Sequence, residues 1–174
     1  MAELLFLVGM MGAGKSTVGR LLAQHLGWDF VDTDAEISAR TGRNVGDLFT
    51  ERGEAAFREE ERRAVGDVLA RRAPAVVSVG GGAVVDEGNR RAMRDGGTVV
   101  WLRADPAVLA ARVADEGGRP LLAGAGPAGA RDELARIAGV RQVWYEEVAT
   151  AVVDVDELTP EQASSAVLAA AGLA

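Results

Sequence analysis

The feature that most constrains the fold of this chain is a glycine-rich loop that directly follows a short apolar run. Leu4–Val8 is continuously apolar and stops at Gly9, which predicts a strand buried on both faces of a sheet. Residues 9–16 then match G-x-x-x-x-G-K-S, the pattern of a phosphate-binding loop. Residues 18–26 continue with helical periodicity, so the loop opens a helix whose positive N-terminal end faces the same phosphate.

The use of lysine supports this interpretation. Of the 19 lysine and arginine residues in the chain, Lys15 in the loop is the only lysine. A compact ammonium on a flexible stem fits a phosphate-binding loop, whereas a planar guanidinium does not. We therefore expect Lys15 to reach the β- and γ-phosphates of a nucleotide and the Ser16 hydroxyl to ligate Mg²⁺. The alternative is a chance glycine-rich turn in a chain with 22 glycines, but it leaves the order of strand, loop and helix unexplained.

Composition narrows the classes of function. The chain has 174 residues, which predicts one domain, and a net charge of −7, which argues against a nucleic-acid partner but not against a small anionic substrate. No apolar run approaches the length of a membrane span, and no signal peptide is evident, so we expect a cytoplasmic protein without a membrane partner. The absence of cysteine excludes disulfides and cysteine chemistry, and the single histidine, His25, argues against a histidine-based zinc site.

Strand and helix patterns alternate along the chain, which predicts parallel β–α–β units. Apolar runs predict strands at 4–8, 30–31, 75–79, 98–102 and 151–155. Helical patterns cover 15–26, 34–41, 54–72, 86–95, 106–113, 131–148 and 160–171, the last opened by a capping box at Thr159 and Gln162 with Pro160 between them. We therefore predict a doubly wound α/β fold with a five-stranded parallel sheet and helices on both faces.

Two stretches are predicted to be additions to this core. Residues 33–61 are polar and helical and contain no strand pattern, which suggests a substrate-binding insertion. Residues 115–130 are rich in glycine, alanine and proline and have little periodicity. This second stretch is either a disordered surface loop or a mobile lid with Arg119 near its root, and the phosphate loop favours a lid at about 113–130.

Two carboxylates follow the second predicted strand, in Asp32-Thr33-Asp34. The carboxyl ends of parallel strands line the ligand crevice, and alternate residues of an extended segment point the same way, so both carboxylates can face the phosphate loop. One could complete the Mg²⁺ shell, and the other could accept a proton from an attacking hydroxyl. Asp34 also stands where it could simply cap the next helix, and the sequence leaves both roles open.

The third predicted strand ends in Val79 followed by three glycines, Gly80, Gly81 and Gly82. Three glycines at the ligand edge of a strand suggest a ligand lying against bare backbone. The acidic residue that usually closes this strand in phosphate-loop proteins is absent, so Asp32 is the candidate for the second protein contact of Mg²⁺.

Several arginines have two possible roles each. Arg58 lies in a highly charged helix and could be a solvated residue paired with Glu54. Arg141 could equally lie on the surface, and Arg112 ends a helix, where a cation suits the helix dipole.

Taken together, these motifs resemble those of the shikimate kinases over nearly the full length of the chain. The resemblance is carried by residues 9–17, Asp32-Thr33-Asp34, Gly53-Glu54, Phe57-Arg58, Glu61, Gly80-Gly81-Gly82, residues 119–122, Arg141, Tyr145 and Val153-Asp154 before Pro160. It implies a phosphate-loop NTPase fold of the nucleoside monophosphate kinase type. The implied activity is ATP-dependent phosphorylation of the 3-hydroxyl of shikimate in aromatic amino-acid biosynthesis, by a monomer that uses Mg²⁺.

The resemblance also implies a role for each matching residue. Asp34 would be the base and bind substrate hydroxyls, while Lys15 and Arg119 would stabilise the transferring phosphoryl group. The implied ATP-binding residues are Gly12, Ala13, Gly14, Lys15, Ser16, Thr17, Arg112, Arg119 and Pro160. The implied substrate-binding residues are Asp34, Arg58, Gly80, Gly81, Gly82 and Arg141, and the implied Mg²⁺ ligands are Ser16 and Asp32.

Three other functions share some of these features. A kinase for another small acceptor, such as gluconate or a nucleoside monophosphate, would share the fold and the phosphate loop. A nucleotide-dependent switch or motor is disfavoured because the chain contains neither N-K-x-D nor L-S-G-G-Q. A non-catalytic ATP-binding module would have no use for Lys15, Asp34 and Arg119 together.

Overall fold

The structure, a computed structural model, describes residues 3–115 and 127–174. Within these residues five parallel strands form one sheet in the order β2-β3-β1-β4-β5. The strands are β1 Leu4–Val8, β2 Asp29–Asp32, β3 Ala75–Ser78, β4 Thr98–Arg103 and β5 Ala151–Asp154. Strand β1 is central and all five of its residues are buried, as its apolar run predicts. The doubly wound parallel sheet expected from the sequence is therefore confirmed.

Seven helices and one 3₁₀ turn, Ala83–Val85, accompany the sheet in the described part of the chain. They are α1 Lys15–Leu26, α2 Thr33–Thr41, α3 Val45–Leu69, α4 Glu87–Gly96, α5 Pro106–Asp115, α6 Pro127–Val148 and α7 Pro160–Ala171. Helices α1 and α7 pack against each other and the sheet, while α4 and α6 pack together against β4. Successive side chains of a strand point to opposite faces, so the burial of every β1 residue requires that both faces be covered.

The predicted element boundaries differ from the observed ones at a few places. The predicted helix at 54–72 is the second part of α3, which begins at Val45 and is interrupted at Gly53, where φ is 81° and ψ is 171°. Helix α6 begins at Pro127, so residues 127–130 belong to a helix instead of the predicted loop, in keeping with proline at a first helical position. Residues 113–115 of that predicted lid belong to the end of α5, and the remainder, with Arg119, falls in 116–126 and lies outside the described residues.

No helix in residues 3–115 or 127–174 has both the length and the apolar character required to cross a lipid bilayer.

The phosphate loop joins the carboxyl end of β1 to the first turn of α1. Gly14 is the residue before the helix and adopts the left-handed conformation with φ of 87°, which glycine accepts without steric cost. Its carbonyl accepts the hydrogen bond from the Val18 amide at 2.9 Å that starts the helix. The N-terminus of α1 therefore opens at the same sheet edge as the ends of β2 and β3.

Candidate active site

A cleft of about 630 Å³ opens at the edge of the sheet where β1, β2 and β3 end. The phosphate loop, α2, α3, the glycine segment after β3 and α6 all contribute to its walls. The lining includes the residues that the sequence places in the site, namely Lys15, Ser16, Asp32, Asp34, Arg58, Gly80, Gly81, Gly82 and Arg141. Side chains far apart in the sequence thus face one cavity.

Lys15 folds back across its own loop. Its Nζ donates hydrogen bonds to the carbonyl oxygens of Gly9 at 2.8 Å and Met10 at 2.9 Å. The ammonium is thereby held at the mouth of the phosphate loop, at the N-terminal end of α1. Both the lysine charge and the helix dipole favour an anion at this point.

Three oxygen-bearing side chains meet beside the loop. The Ser16 hydroxyl donates to Asp32 Oδ2 at 2.5 Å and lies 3.2 Å from the Ser78 hydroxyl. The sequence predicts that Ser16 and Asp32 are neighbours. It does not mark Ser78 as a third member, although Ser78 is the polar residue that ends the otherwise apolar strand β3. Hard oxygen donors of this kind suit Mg²⁺, which is held by a few protein oxygens together with phosphate and water. The described residues contain no cluster of three or more histidine, cysteine, aspartate or glutamate side chains that could hold a metal ion.

Asp34 is not the cap of its helix. Asp32 is the N-cap of α2, since its Oδ1 accepts hydrogen bonds from the amides of Asp34 at 3.1 Å and Ala35 at 3.3 Å. Asp34 lies inside the first turn of α2 and lines the cleft. The capping role that the sequence left open for Asp34 is therefore wrong, because the helix begins one residue earlier than predicted.

The segment after β3 consists of glycines, and side chains of the site occupy the space that Cβ atoms would need at Gly80 and Gly82. A Cβ at Gly80 would come within 2.6 Å of Asp34 Oδ1, and a Cβ at Gly82 would collide with Nη1 of Arg58. The Gly80 amide donates to the buried Thr33 hydroxyl at 2.9 Å. The close approach expected at these glycines is thus made by the chain itself, and contacts of the same glycines with substrate stay a prediction.

If Arg58 binds the acceptor, as the family resemblance implies, Gly82→Ala should weaken acceptor binding without unfolding the protein. The added methyl group meets the flexible end of the Arg58 side chain, so the guanidinium moves instead of the backbone. We expect the acceptor KM to rise by roughly tenfold, the magnitude of one lost charge-assisted hydrogen bond, with the KM for ATP nearly unchanged. Steady-state kinetics and a melting curve check this.

The matched control is Gly66→Ala. Gly66 lies within α3, and a Cβ there meets nothing within 4 Å. Alanine at this position should slightly raise the melting temperature and leave both KM values unchanged. Equal KM changes in the two variants would mean that the Gly82 contact does not position Arg58.

Arg58 is not a solvated residue. Its Nη1 donates to Glu61 Oε2 at 2.5 Å, and its Nη2 donates to Glu54 Oε1 at 3.1 Å. Only 15% of its side chain is exposed, so the predicted pair with Glu54 exists but within the wall of the cleft. Glu61 is more deeply buried, and this desolvation raises its pKa to about 7, although the nearby Arg58 charge acts in the opposite direction.

Arg141 faces the cleft from α6. Its Nη1 donates to the Gly81 carbonyl at 3.1 Å, and the hydroxyl of Tyr145 donates to the same oxygen at 2.7 Å. Tyr145 is buried, which raises the pKa of its hydroxyl to about 12 and keeps it protonated as a donor. Its ring stacks on Trp101 with the ring centroids 5.4 Å apart. The surface location considered for Arg141 is therefore wrong, and Tyr145 is a site neighbour that the sequence marked only through the family resemblance.

Arg90 forms hydrogen bonds with both the 3₁₀ turn Ala83–Val85 and helix α6. Its Nη1 donates to the carbonyls of Val84 at 2.8 Å and Val85 at 3.2 Å, and its Nε donates to Glu147 at 2.9 Å. Its guanidinium also lies 5.7 Å from the centroid of the Trp144 ring. This buried arginine holds together two walls of the cleft.

Arg112, which is predicted to bind the nucleotide, lies next to the phosphate loop. Arg112 donates to the carbonyl of Val155 at 2.9 Å and lies 3.5 Å from the carbonyl of Gly12 in the phosphate loop. It therefore links the loop to the connection between β5 and α7. Pro160 is the exposed first residue of α7, with Thr159 as its N-cap.

Comparisons with known proteins agree with this geometry. A sequence model of the family described as shikimate kinase matches residues 11–171. A shikimate kinase of Pseudomonas syringae pv. syringae is 43% identical over 165 residues, which cover 95% of this chain and 94% of the relative. The solved structure of shikimate kinase from Acinetobacter baumannii in complex with shikimate has a TM-score of 0.89 and 33% identity, and the match covers 97% of this chain and 92% of that one.

A gluconokinase from Sinorhizobium meliloti 1021 is a more distant neighbour, with a TM-score of 0.58, 19% identity and coverage of 98% of this chain and 91% of that one. That likeness shows only that the two share the fold of phosphate-loop kinases. The family model, by contrast, spans nearly the whole of this chain, and relatives of similar length share more than two fifths of its residues. This chain belongs to the shikimate kinase family.

Proposed function

We propose that this protein transfers the terminal phosphoryl group of ATP to the 3-hydroxyl of shikimate. The observation that carries the proposal is the placement of Asp34, Arg58 and Arg141 around one cleft that the phosphate loop also lines. Two arginines suit an acceptor that carries a carboxylate, because a guanidinium can bind a carboxylate through two parallel hydrogen bonds. The shikimate complex of the A. baumannii relative supports the choice of acceptor.

On the acceptor side, we assign Arg58 and Arg141 to the substrate carboxylate and Asp34 to the reacting hydroxyl. Asp34 would accept a hydrogen bond from that hydroxyl, orient it towards the phosphate loop and take its proton as the new phosphoester forms. Backbone groups of Gly80, Gly81 and Gly82 would contact the ring substituents. The Gly81 carbonyl already accepts two hydrogen bonds from α6, and the Gly80 amide donates to Thr33, so the amides of Gly81 and Gly82 are the more available groups.

On the nucleotide side, we assign the loop residues Gly12, Ala13, Gly14, Lys15, Ser16 and Thr17 to the phosphates, with Arg112 and Pro160 near the adenine. Ser16 and Asp32 would hold Mg²⁺, which neutralises phosphate charge when it is bound. Lys15 and Arg119 would stabilise charge on the transferring phosphoryl group. Because phosphoryl transfer passes through a loose transition state, these residues act mainly by position and charge.

Acceptor profiling tests the proposal. With ATP and Mg²⁺ present, coupled detection of ADP release should give the highest kcat/KM with shikimate in a panel that includes gluconate and nucleoside monophosphates. Gluconate carries a carboxylate but has an open chain, so it separates recognition of the carboxylate from recognition of the ring. A higher kcat/KM with gluconate or a nucleotide would reject shikimate as the acceptor.

Arg141→Ala should weaken shikimate binding far more than ATP binding. Loss of a charge-assisted hydrogen bond costs roughly 1.5–3 kcal/mol, which is about ten- to a hundredfold in affinity. Calorimetric titration with each ligand checks this, and Arg136→Ala is a control, since that arginine also lines the cleft but is paired with Glu133. Equal losses for shikimate and ATP in Arg141→Ala would show that Arg141 has a structural role.

We also propose that the enzyme acts as a monomer, because one chain supplies both the acceptor residues and the nucleotide residues assigned above. We propose the cytoplasm as its location.

A further inference from the structure

Glu61 is a buried acid in the cleft to which none of the assigned roles belongs. It lies in α3, is 3% exposed and lines the cavity. Its Oε2 accepts a hydrogen bond from Arg58, but Oε1 has no donor among the described residues. A buried carboxylate oxygen that accepts no hydrogen bond costs free energy. We therefore expect Oε1 to gain a hydrogen-bond partner or a proton when the ligand binds.

The groups that face Glu61 come from three elements. Arg58 lies on its own helix, Asp34 approaches from α2, and Arg141 and the uncharged hydroxyl of Tyr145 approach from α6. A Cβ at Gly80 would stand 2.6 Å from Asp34 Oδ1 and 3.4 Å from Glu61 Oε1, so the two carboxylates share the space beside this glycine. Together these side chains carry two negative and two positive charges, which leaves the cluster neutral before an anionic substrate enters.

Arg58 already forms hydrogen bonds with two carboxylates. It donates to Glu61 through Nη1 and to Glu54 through Nε and Nη2. A substrate carboxylate that binds the same guanidinium would place a further negative charge beside the buried Glu61. Protonation of Glu61 restores neutrality at the lowest cost. Burial already makes its anionic form unfavourable and raises its pKa to about 7.

We propose that Glu61, where it is ionised, takes up a proton from solvent when the acceptor carboxylate binds, and that Arg58 then exchanges Glu61 for the substrate as its partner. The proton goes to Oε1, the oxygen without a donor, where the new O–H can donate to Asp34 or to a substrate hydroxyl. This deepens the proposed function and rests on it, because it takes a carboxylate as part of the acceptor. Glu61 is a positioning residue in this account, since it acts through Arg58.

The sign of the pH dependence follows from the same charges. A nearby substrate anion raises the pKa of Glu61 further, so the complex binds more protons than the free protein near neutral pH. Acceptor affinity is then greatest below pH 7 and falls as the pH rises through the pKa of the complex. If binding raises this pKa by one unit, uptake is about 0.4 proton per site at pH 7, and affinity falls by up to about tenfold between pH 6 and pH 9.

The experiment is calorimetric titration of the full chain with shikimate, without ATP, in two buffers that differ in ionisation enthalpy. The difference in observed heat gives the number of protons taken up. We expect uptake near pH 7, almost none at pH 5.5 where Glu61 is already protonated, and none at either pH in Glu61→Gln. Absence of uptake in the wild type at pH 7, or unchanged uptake in Glu61→Gln, would overturn the proposal.

Two control variants exclude other sources of the proton. Glu54→Gln removes the exposed carboxylate that also binds Arg58, and His25→Gln removes the only histidine, the residue type that ordinarily titrates near neutral pH. Both should retain the uptake, and its loss in either variant would reject Glu61 as the site. If Glu61→Gln fails to fold, the wild-type profile still tests the proposal, because absence of uptake at pH 7 overturns it.

The same titration separates this inference from the proposed function. Shikimate binding with no change in protonation would reject the role of Glu61 and leave the kinase assignment intact. A complete lack of shikimate binding at every pH, in the presence as well as the absence of ATP, would reject both.

Discussion

Replacement of Lys15 by arginine should nearly abolish turnover although it conserves the positive charge. Lys15 donates to the carbonyls of Gly9 and Met10 and so lies within the curve of the loop, where a forked guanidinium is too large to replace the ammonium. Loss of one well-placed electrostatic group costs about 10²–10³-fold in kcat. Steady-state kinetics with saturating ATP and shikimate should show a loss of this size.

The control for this substitution exchanges the same two residue types elsewhere. Arg91→Lys lies on the exposed side of α4, where the arginine pairs with Glu87. It should retain wild-type kinetics, because a surface pair of this kind contributes little to stability or activity. Turnover of Lys15→Arg within a few-fold of wild type would show that the single lysine of the chain has no special role in the loop.

Asp34→Asn should lower kcat by roughly 10²–10⁴-fold while the protein stays folded. Asparagine has nearly the same shape and can occupy the space beside Gly80, but it cannot take the proton of the acceptor hydroxyl. Helix α2 should not be weakened, because its N-cap is Asp32 and not Asp34. The melting temperature and kcat should be measured on the same preparation.

Asp86→Asn is a matched control for the aspartate substitution. Asp86 is the N-cap of α4, its side chain accepts from the Asn89 amide at 2.9 Å, and asparagine is an equally good cap. This variant should keep near-normal kcat. A stable Asp34→Asn with near-normal kcat would remove Asp34 from the mechanism and leave the phosphate loop and the arginines as the catalytic groups.

The sequence predicts the fold correctly where the pattern lies within one short stretch of the chain. Strand β1, the phosphate loop and helix α1 follow one another in the chain, so their apolar run, glycines and periodicity describe them directly. The meeting of Asp32 with Ser16 was also predictable, because the carboxyl ends of parallel strands lie at one edge of the sheet.

Other features of the site depend on contacts between segments that are far apart in the sequence, and the sequence alone does not predict them. Nothing near Gly80 or Gly82 in the chain indicates that Asp34 and Arg58 occupy the space beside them. The deep burial of Glu61 in a helix full of charges was equally hidden, because helical periodicity does not tell which charged residue faces a cleft. The sequence pattern allows Asp34 to be a cap because it predicts the start of α2 one residue too late, whereas the observed N-cap is Asp32.

The position of the new phosphate group shows whether this protein phosphorylates the 3-hydroxyl of shikimate. After incubation of the protein with ATP, Mg²⁺ and shikimate, proton–phosphorus correlation NMR of the product identifies the carbon that bears the phosphoester. We expect a single product with phosphate on the 3-hydroxyl, which Asp34 would orient towards the phosphate loop. A phosphoester on another hydroxyl, or unmodified shikimate while ATP is consumed, would reject the proposed reaction.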